Sequence, residues 1–352
     1  MARFRKSCAQ IRQQRKKFYS IQLEEVIMNG KITAKKLVSK GGVVIAVIIA
    51  FIIFAIGAPS VFLTPSNIVT ILKSISITTV IAMGATIGFA TGVFDLSFAT
   101  LATLGAALSV TFIGWYNMPM PVAMIAATLI CMLVGVINAV VVVKFHVTAF
   151  LATLAMQFVL DGVILTYSGG ALINPKVAGA NGQEVVREVP EAFWNMGKSP
   201  YIIIIMFVCV IVVELFLSYT KHGRMLYMVG SNPGAARLSG IKTGAYIALA
   251  FVLTGLFSAL SGMLIAARAG TVQSTAGSSF LMPAIAAANI GFSFGGRGKA
   301  NAIGTFVGAA LIGVVENGLY AMAFPYYSIN IIKGLILLLA LIMSAATAKA
   351  QD

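Results

Sequence analysis

Four carboxylates stand where charge is expensive, inside or between long apolar runs of a 352-residue chain. Asp95 lies in TGVFDLS, with Ser97 two residues on. Asp161 follows Gln157 by one helical turn, Glu214 precedes basic Lys221 and Arg224, and Glu316 is adjacent to Asn317. Asn138 and Asn289 add amides within apolar runs. Ionisable groups at membrane depth mark ion or solute pathways, or hydrogen bonds between helices. A proton- or sodium-coupled carrier would use such acids for coupling. The chain has neither a dense series of acids nor an acid–histidine relay. His146 and His222 each stand beside basic residues, as membrane-boundary residues do. Single acids of this kind read as helix-to-helix hydrogen bonding or boundary positions. Asp95 is set apart by its distinctive flanks. Cys8, Cys131 and Cys209 form no CxxC or paired spacing, so neither a disulfide frame nor a zinc site is indicated. No nucleophile–base pair or metal cluster suggests an enzyme. No GxxxxGK[ST] phosphate loop is present, and the GGRG at 295–298 reads as a turn.

A second feature is the basic segment HGRMLYMVGSNPGAARLSGIKTGAY. Ser231-Asn232-Pro233 supplies a polar N-cap followed by proline in the first helical turn. Gly234 to Leu238 is helix-permissive, and Gly240 stands where a C′ glycine ends a helix. A short helix of about two turns is expected there, with Gly234, Ala235 and Ala236 leaving a surface that another protein's groove could grip.

The elements that must position these residues follow from composition. Hydrophobic residues make up 59% of the chain and charged residues 10%. Soluble domains carry roughly 25% charged residues, so a soluble, disordered or disulfide-framed chain is excluded. An all-α polytopic membrane protein remains. At about 20 residues per span, about ten or eleven spans fit. Ten can be read: 42–58, 68–92, 96–114, 122–143, 147–167, 201–219, 245–267, 280–294, 302–322 and 328–348. They form a transmembrane domain over 42–348, with an outer loop at 168–199 and a basic inner loop at 220–244. Glycine-rich runs such as GAALSV and GTFVGAALIG suit close helix packing. A weak internal echo recurs at an offset of 203: Ile87-Gly88-Phe89 with Ile290-Gly291-Phe292, and GAAL at 105–108 with GAAL at 308–311.

Charge fixes the orientation. Residues 1–42 hold eleven Lys and Arg against Glu24 and Glu25, and so supply +9 of the net +15. This tail (1–41) has no fold of its own and runs straight into an apolar segment, which argues against nucleic acid. It reads as a cytoplasmic tail that can touch anionic lipid. With ten spans, the inner side gathers Lys144, Lys221, Arg224, Arg237, Lys242, Arg297, Lys299 and Lys349 in addition to the tail. The outer side holds only Lys176, Arg187, Lys198 and Arg268. Both termini are therefore expected to be cytoplasmic.

The segment GRMLYMVGSNPGAARLSGI resembles the coupling-loop signature of ATP-binding-cassette (ABC) importer permeases of the ribose and monosaccharide type, close to "G…YAVGxNPxAARLSGI". TGVFDLSFATLATLGA is similar to that family's "GGIDLSVGS" motif. AARAGTVQSTAGSSFLMPAIAAANIG and GGRGKANAIGTFVGAALIGVVENGL resemble two further family segments. The likeness runs from about Pro65 to Leu341. Departures include Phe94, Phe98-Ala99-Thr100, Leu281-Met282 and Ala288-Asn289.

The resemblance implies a non-enzymatic transmembrane subunit of a bacterial inner-membrane importer, binding no cofactor itself. Gly230, Ser231, Asn232, Pro233, Ala235, Ala236, Arg237, Leu238, Gly240 and Ile241 would couple to cytoplasmic ABC ATPase subunits, which carry ATP and magnesium. A second permease subunit would complete the pathway, and a solute-binding protein would deliver the sugar. Asp95, Ser97, Asn138, Asp161, Asn289, Glu316 and Asn317 are the candidate pathway or structural polar residues. Another solute, such as autoinducer-2, a nucleoside or a branched-chain amino acid, stays open. So does an ion-coupled carrier.

Overall fold

Proline and hydroxyl caps start several of the helices. The computed structural model describes residues 42–178, 184–186, 189–294, 299–325, 327–332, 334, 335 and 338. The basic tail, GGRG and most of the tenth span lie outside the described residues. Helix α1 spans Gly42–Gly57, and α2 is a short turn at Pro59–Phe62. Helix α3 (Pro65–Ala90) opens with Thr64 accepting the Asn67 amide and Pro65 in the first turn. Then come α4 (Phe98–Gly114), α5 (Met120–Lys144) and α6 (Ala149–Ser168). Strands β1 (Lys176–Ala178) and β2 (Glu184–Val186) pair antiparallel and precede α7 (Glu191–Met196). The chain continues through α8 (Tyr201–Tyr219), α9 (Lys221–Ser231), α10 (Pro233–Leu238), α11 (Thr243–Ala269), α12 (Leu281–Ser293) and α13 (Ala302–Ala321). Residues 327–332 are helical.

Six of these helices, α3, α5, α6, α8, α11 and α13, are long and apolar enough to cross a membrane. The first, third and eighth expected spans are shorter apolar helices, at Gly42–Gly57, Phe98–Gly114 and Ser278–Phe292. Burial explains how α4 can be short. Nearly all of it is enclosed by neighbouring helices, and a helix surrounded by protein need not match the hydrocarbon thickness. The expectation of an all-α chain needs one amendment. The segment 168–199 holds the β1–β2 hairpin and α7, and it folds back on the end of α11. There Ile173 and Val272 exchange backbone hydrogen bonds of 2.9 and 2.8 Å, and Phe193 is fully buried.

Two classes of helix emerge. Helices α3, α11 and α13 are mostly buried, whereas α5, α6 and α8 turn most of their apolar residues outward. On α5, Ile125, Leu129 and Leu133 recur every four residues and are all exposed. That stripe has the period and apolar character of a helix face turned to lipid or to another apolar surface.

The centre is close-packed through small residues, because apolar contact alone gives helices no advantage over lipid. Gly262 on α11 faces the Ala102 carbonyl and Ala106 amide of α4, and a Cβ there would overlap both. Gly262→Leu is therefore expected to destabilise the chain by about 1–3 kcal/mol or more. The check is a lowered midpoint in a detergent thermal-unfolding scan.

The internal echo falls on matching helix–turn–helix pairs, α3–α4 and α12–α13. The two pairs touch through Phe89 and Phe292 (6.1 Å between centroids) and through a 2.7 Å hydrogen bond between Thr86 and Thr305.

Candidate functional site

The basic segment at 220–244 forms two helices where one was expected. Helix α9 starts with the Thr220 hydroxyl accepting the Gly223 amide at 3.0 Å. It ends at Ser231, whose hydroxyl donates back to the Met228 carbonyl at 3.2 Å. Ser231 thus closes α9, and the cap of α10 is Asn232 alone, accepting the Ala235 amide at 2.9 Å ahead of Pro233. Helix α10 ends in a Schellman motif. Gly240, at φ +79, donates its N–H to the Arg237 carbonyl, and Ile241 donates to the Ala236 carbonyl, each at 3.0 Å.

A six-residue helix cannot hold itself in water, and these two caps are what fix α10. Ala236 alone of its side chains is buried. Pro233, Ala235, Arg237 and Leu238 are exposed, with Leu238 at 92%.

Helix α9 ties this exposed helix to the bundle. Gly230 lies directly against Ala90 and Thr91 at the end of α3, where a Cβ would overlap the Ala90 carbonyl oxygen. Gly92 in the next turn (φ +74) lies against Gly230 in return. Tyr227, on the same helix, donates to the Ala300 carbonyl at 2.6 Å, just ahead of α13. Helix α9 thus joins α10 to the turn that follows α3.

That turn, 91–97, carries Asp95. Asp95 Oδ1 accepts both the Ser97 amide (2.8 Å) and the Ser97 hydroxyl (2.7 Å). Asn138 of α5 donates to Ser97 Oγ at 3.0 Å, and the Leu96 amide donates to Thr153 of α6 at 3.0 Å. One turn thereby joins α4, α5 and α6. Asp95 Oδ2 and Asn138 Oδ1 are buried and have no hydrogen-bond partner among the described residues. Phe94 stacks on Phe89 at 5.2 Å and meets Phe150 at 6.2 Å, roofing the turn with rings. Burial pushes the Asp95 carboxyl up to about 6, against the two Ser97 bonds that pull it down.

The remaining polar residues separate from this cluster. Asp161 accepts the Thr100 hydroxyl of α4 at 3.3 Å, one turn from Ser97. Asn289 donates within its own helix, to the Ile285 carbonyl at 2.9 Å. Asn317 forms a reciprocal amide pair with Asn67 of α3, at 2.9 and 3.0 Å. Glu316 lies within electrostatic reach of Arg268. Glu214 takes the Ala302 amide at 3.0 Å and the Ser218 hydroxyl at 2.7 Å, a carboxylate at the start of α13.

A cavity of about 510 Å³ opens between α12, α13 and the helical residues beyond 327. Its lining is apolar apart from Ser278, Ser279 and Asn330. None of the polar residues singled out by sequence lines it, although Val315 and Ile290, neighbours of Glu316 and Asn289, do. Sequence reasoning missed α9, Thr153 and the Gly230–Gly92 contact. Only the Thr220 cap ahead of an amphipathic stretch could have signalled α9.

A multi-pass helical membrane protein with an exposed, doubly capped helix pair tied to its central bundle is the architecture of a transport permease. The chain belongs to the family of branched-chain amino acid transport system permease components, whose match covers residues 67–341. It is 31% identical to the ribose import permease protein RbsC of Escherichia coli strain K12, over 85% of this chain and 91% of that protein. It is 32% identical to RbsC of Bacillus subtilis, over 86% and 92%. It is 30% identical to the autoinducer 2 import system permease protein LsrD of E. coli O9:H4, over 75% and 79%. No solved structure matches the chain.

Proposed function

We propose that this chain is the membrane-spanning subunit of an ATP-driven importer for a ribose-like monosaccharide. The observation that carries the reading is α10, fixed by Asn232 and Gly240, presenting Leu238 and Arg237 outward and joined through Gly230 to the end of α3. Cytoplasmic ATPase subunits, which hold ATP and magnesium, dock on α10. Their closure moves α9 and the turn at 91–97, and with it α4, α5 and α6. A solute-binding protein delivers the sugar on the opposite face, where the hairpin and α7 lie. A second permease subunit completes the pathway. Ten spans, with both termini in the cytoplasm of a bacterial inner membrane, agree with the distribution of basic residues.

Affinity in this scheme resides in the binding protein, which suits a cavity with few polar groups. Transport then needs only a two-state bundle biased by ATP and by the loaded binding protein. The similarity to LsrD favours autoinducer-2 as the second reading of the solute, with the same machinery. The test is reconstitution with a cognate ABC ATPase and solute-binding protein, followed by ATPase measurements on a panel of pentoses, hexoses and autoinducer-2. Stimulation by a pentose supports the reading. Stimulation by autoinducer-2 alone replaces the solute, and no stimulation by any loaded binding protein defeats it.

A further inference from the structure

The turn at 91–97 contains an imbalance of hydrogen-bond donors and acceptors that points to a bound proton. Ser97 Oγ is shared. It donates to Asp95 Oδ1 at 2.7 Å and accepts from Asn138 Nδ2 at 3.0 Å. With those bonds made, the acceptors Asp95 Oδ2 and Asn138 Oδ1 remain, both buried and both without a donor. Asp95 is 5% exposed and Asn138 1% exposed. Flipping the Asn138 amide would only redirect the Ser97 hydroxyl hydrogen from Asp95 Oδ1 to Asn138, and Ser97 supplies no donor to Asp95 Oδ2 in either arrangement. An ionised carboxylate would leave one charged oxygen desolvated beneath Phe89 and Phe94, a costly arrangement. A protonated carboxyl removes that charge and supplies a donor where only acceptors stand.

We propose that Asp95 is a proton-carrying positioning residue that holds the α3–α4 turn closed, and that it ionises when α9 withdraws from that turn. This deepens the importer reading and rests on it for its mechanical role, although the proton site itself does not. Below about pH 6 the carboxyl of the closed turn is neutral, whereas an opened, hydrated turn at the same pH leaves it ionised. When Gly230 moves away from Ala90 and Gly92, water reaches the turn and takes the proton, leaving the carboxylate solvated. Closure recaptures a proton from water. The titratable groups on the surrounding elements include His146 between α5 and α6, Lys221 and His222 on α9, and Tyr246 on α11, which meets His222 at 3.3 Å, and none of them contributes to the shift at Asp95. On α6, Asp161 is bonded to Thr100. On α9, Tyr227 is bonded to the Ala300 carbonyl, and Arg224 donates to the Tyr219 carbonyl. Lys144 ends α5, six residues beyond Asn138. Lys73 and Arg268 lie toward the opposite ends of α3 and α11. Burial and Ser97 account for the behaviour of the carboxyl.

The experiment is infrared spectroscopy of the full chain in lipid, titrated from pH 4 to 9, comparing wild type, Asp95→Asn and Ser97→Ala. The account expects a protonated-carboxyl band in wild type that bleaches as pH rises, is missing in D95N, and in S97A bleaches at higher pH because the hydroxyl bond favouring the carboxylate is lost while the backbone amide bond stays. The sign for stability is set by the raised folded-state value. Wild type should be most stable, relative to D95N, below the ordinary aspartate range, and lose about 3 °C or more of that advantage as pH rises through about 6. Spectra of wild type and D95N that coincide at every pH would overturn the proposal. The outcomes are separable. If the band is present while the reconstituted complex shows no solute-stimulated ATPase, the importer reading falls and the proton site stands. If stimulation is present without the band, the reverse holds.

Discussion

Leu238→Asp, and separately Arg237→Glu, should lower solute-stimulated ATP hydrolysis at least about tenfold in the reconstituted complex, while the purified chain unfolds at an unchanged temperature. Leu238 is 92% exposed and makes no contribution to the core. Its replacement therefore costs the fold almost nothing, since surface substitutions away from packed features stay within about 0.5 kcal/mol. Against a docked partner the situation reverses. A buried leucine at the centre of an interface contributes about 1.5–3 kcal/mol, and a tenfold loss corresponds to about 1.4 kcal/mol. Arg237, in the last turn of α10, also favours the helix C-terminus electrostatically. Its reversal to glutamate adds repulsion to lost contact. The measurement is the ratio of ATPase activity with and without loaded binding protein, beside a thermal-unfolding scan of the permease alone.

Gly230→Val should separate docking from transmission. Any side chain at 230 meets the Ala90 carbonyl oxygen and Thr91 backbone, neither of which can yield as the tip of a flexible side chain could. Helix α9 must then lift away from the end of α3. Helix α10 keeps its own caps, Asn232 and Gly240, so the ATPase should still co-purify. The stimulated rate should fall at least about tenfold, because the rigid contact that moves the turn at 91–97 is gone. Loss of co-purification together with stimulation would show instead that α9 and α10 act as one docking unit.

The contrast between these two positions shows what sequence could and could not reveal. Helix α10 was legible because its start and stop are local chemistry. Asn232, Pro233 and Gly240 each act on backbone groups within a few residues. Helix α9 was not, because Gly223 and Gly230 weaken the helical signal over eleven residues. Both glycines are needed by a contact that sequence does not show: Gly223 against the Leu217 backbone and Gly230 against Ala90. The Asp95–Ser97 pairing was within reach as an Asp two residues before the N-cap of α4. Its links to Asn138 and Thr153 bridge 41 and 57 residues, and no periodicity predicts them. Asn317 was legible only as a pathway or structural amide, and its pairing with Asn67, 250 residues away, is set by the fold. The apolar runs placed most of the helices, since hydrocarbon thickness sets the length of a spanning run. They were least informative about α4 and α12, which are surrounded by other helices and so escape that length rule.

The central claim is that α10 is the surface on which the ATPase acts. It is tested most directly by placing a cysteine at Leu238 in a chain whose Cys8 is replaced by serine, Cys131 and Cys209 being buried, and crosslinking it within the reconstituted complex. The account predicts a covalent adduct with the ATPase subunit, changing in yield with nucleotide, and none from a cysteine placed at exposed Tyr116 toward the opposite end of α4. An ATPase adduct from position 116, or none from position 238 in a complex that still shows solute-stimulated hydrolysis, would contradict it.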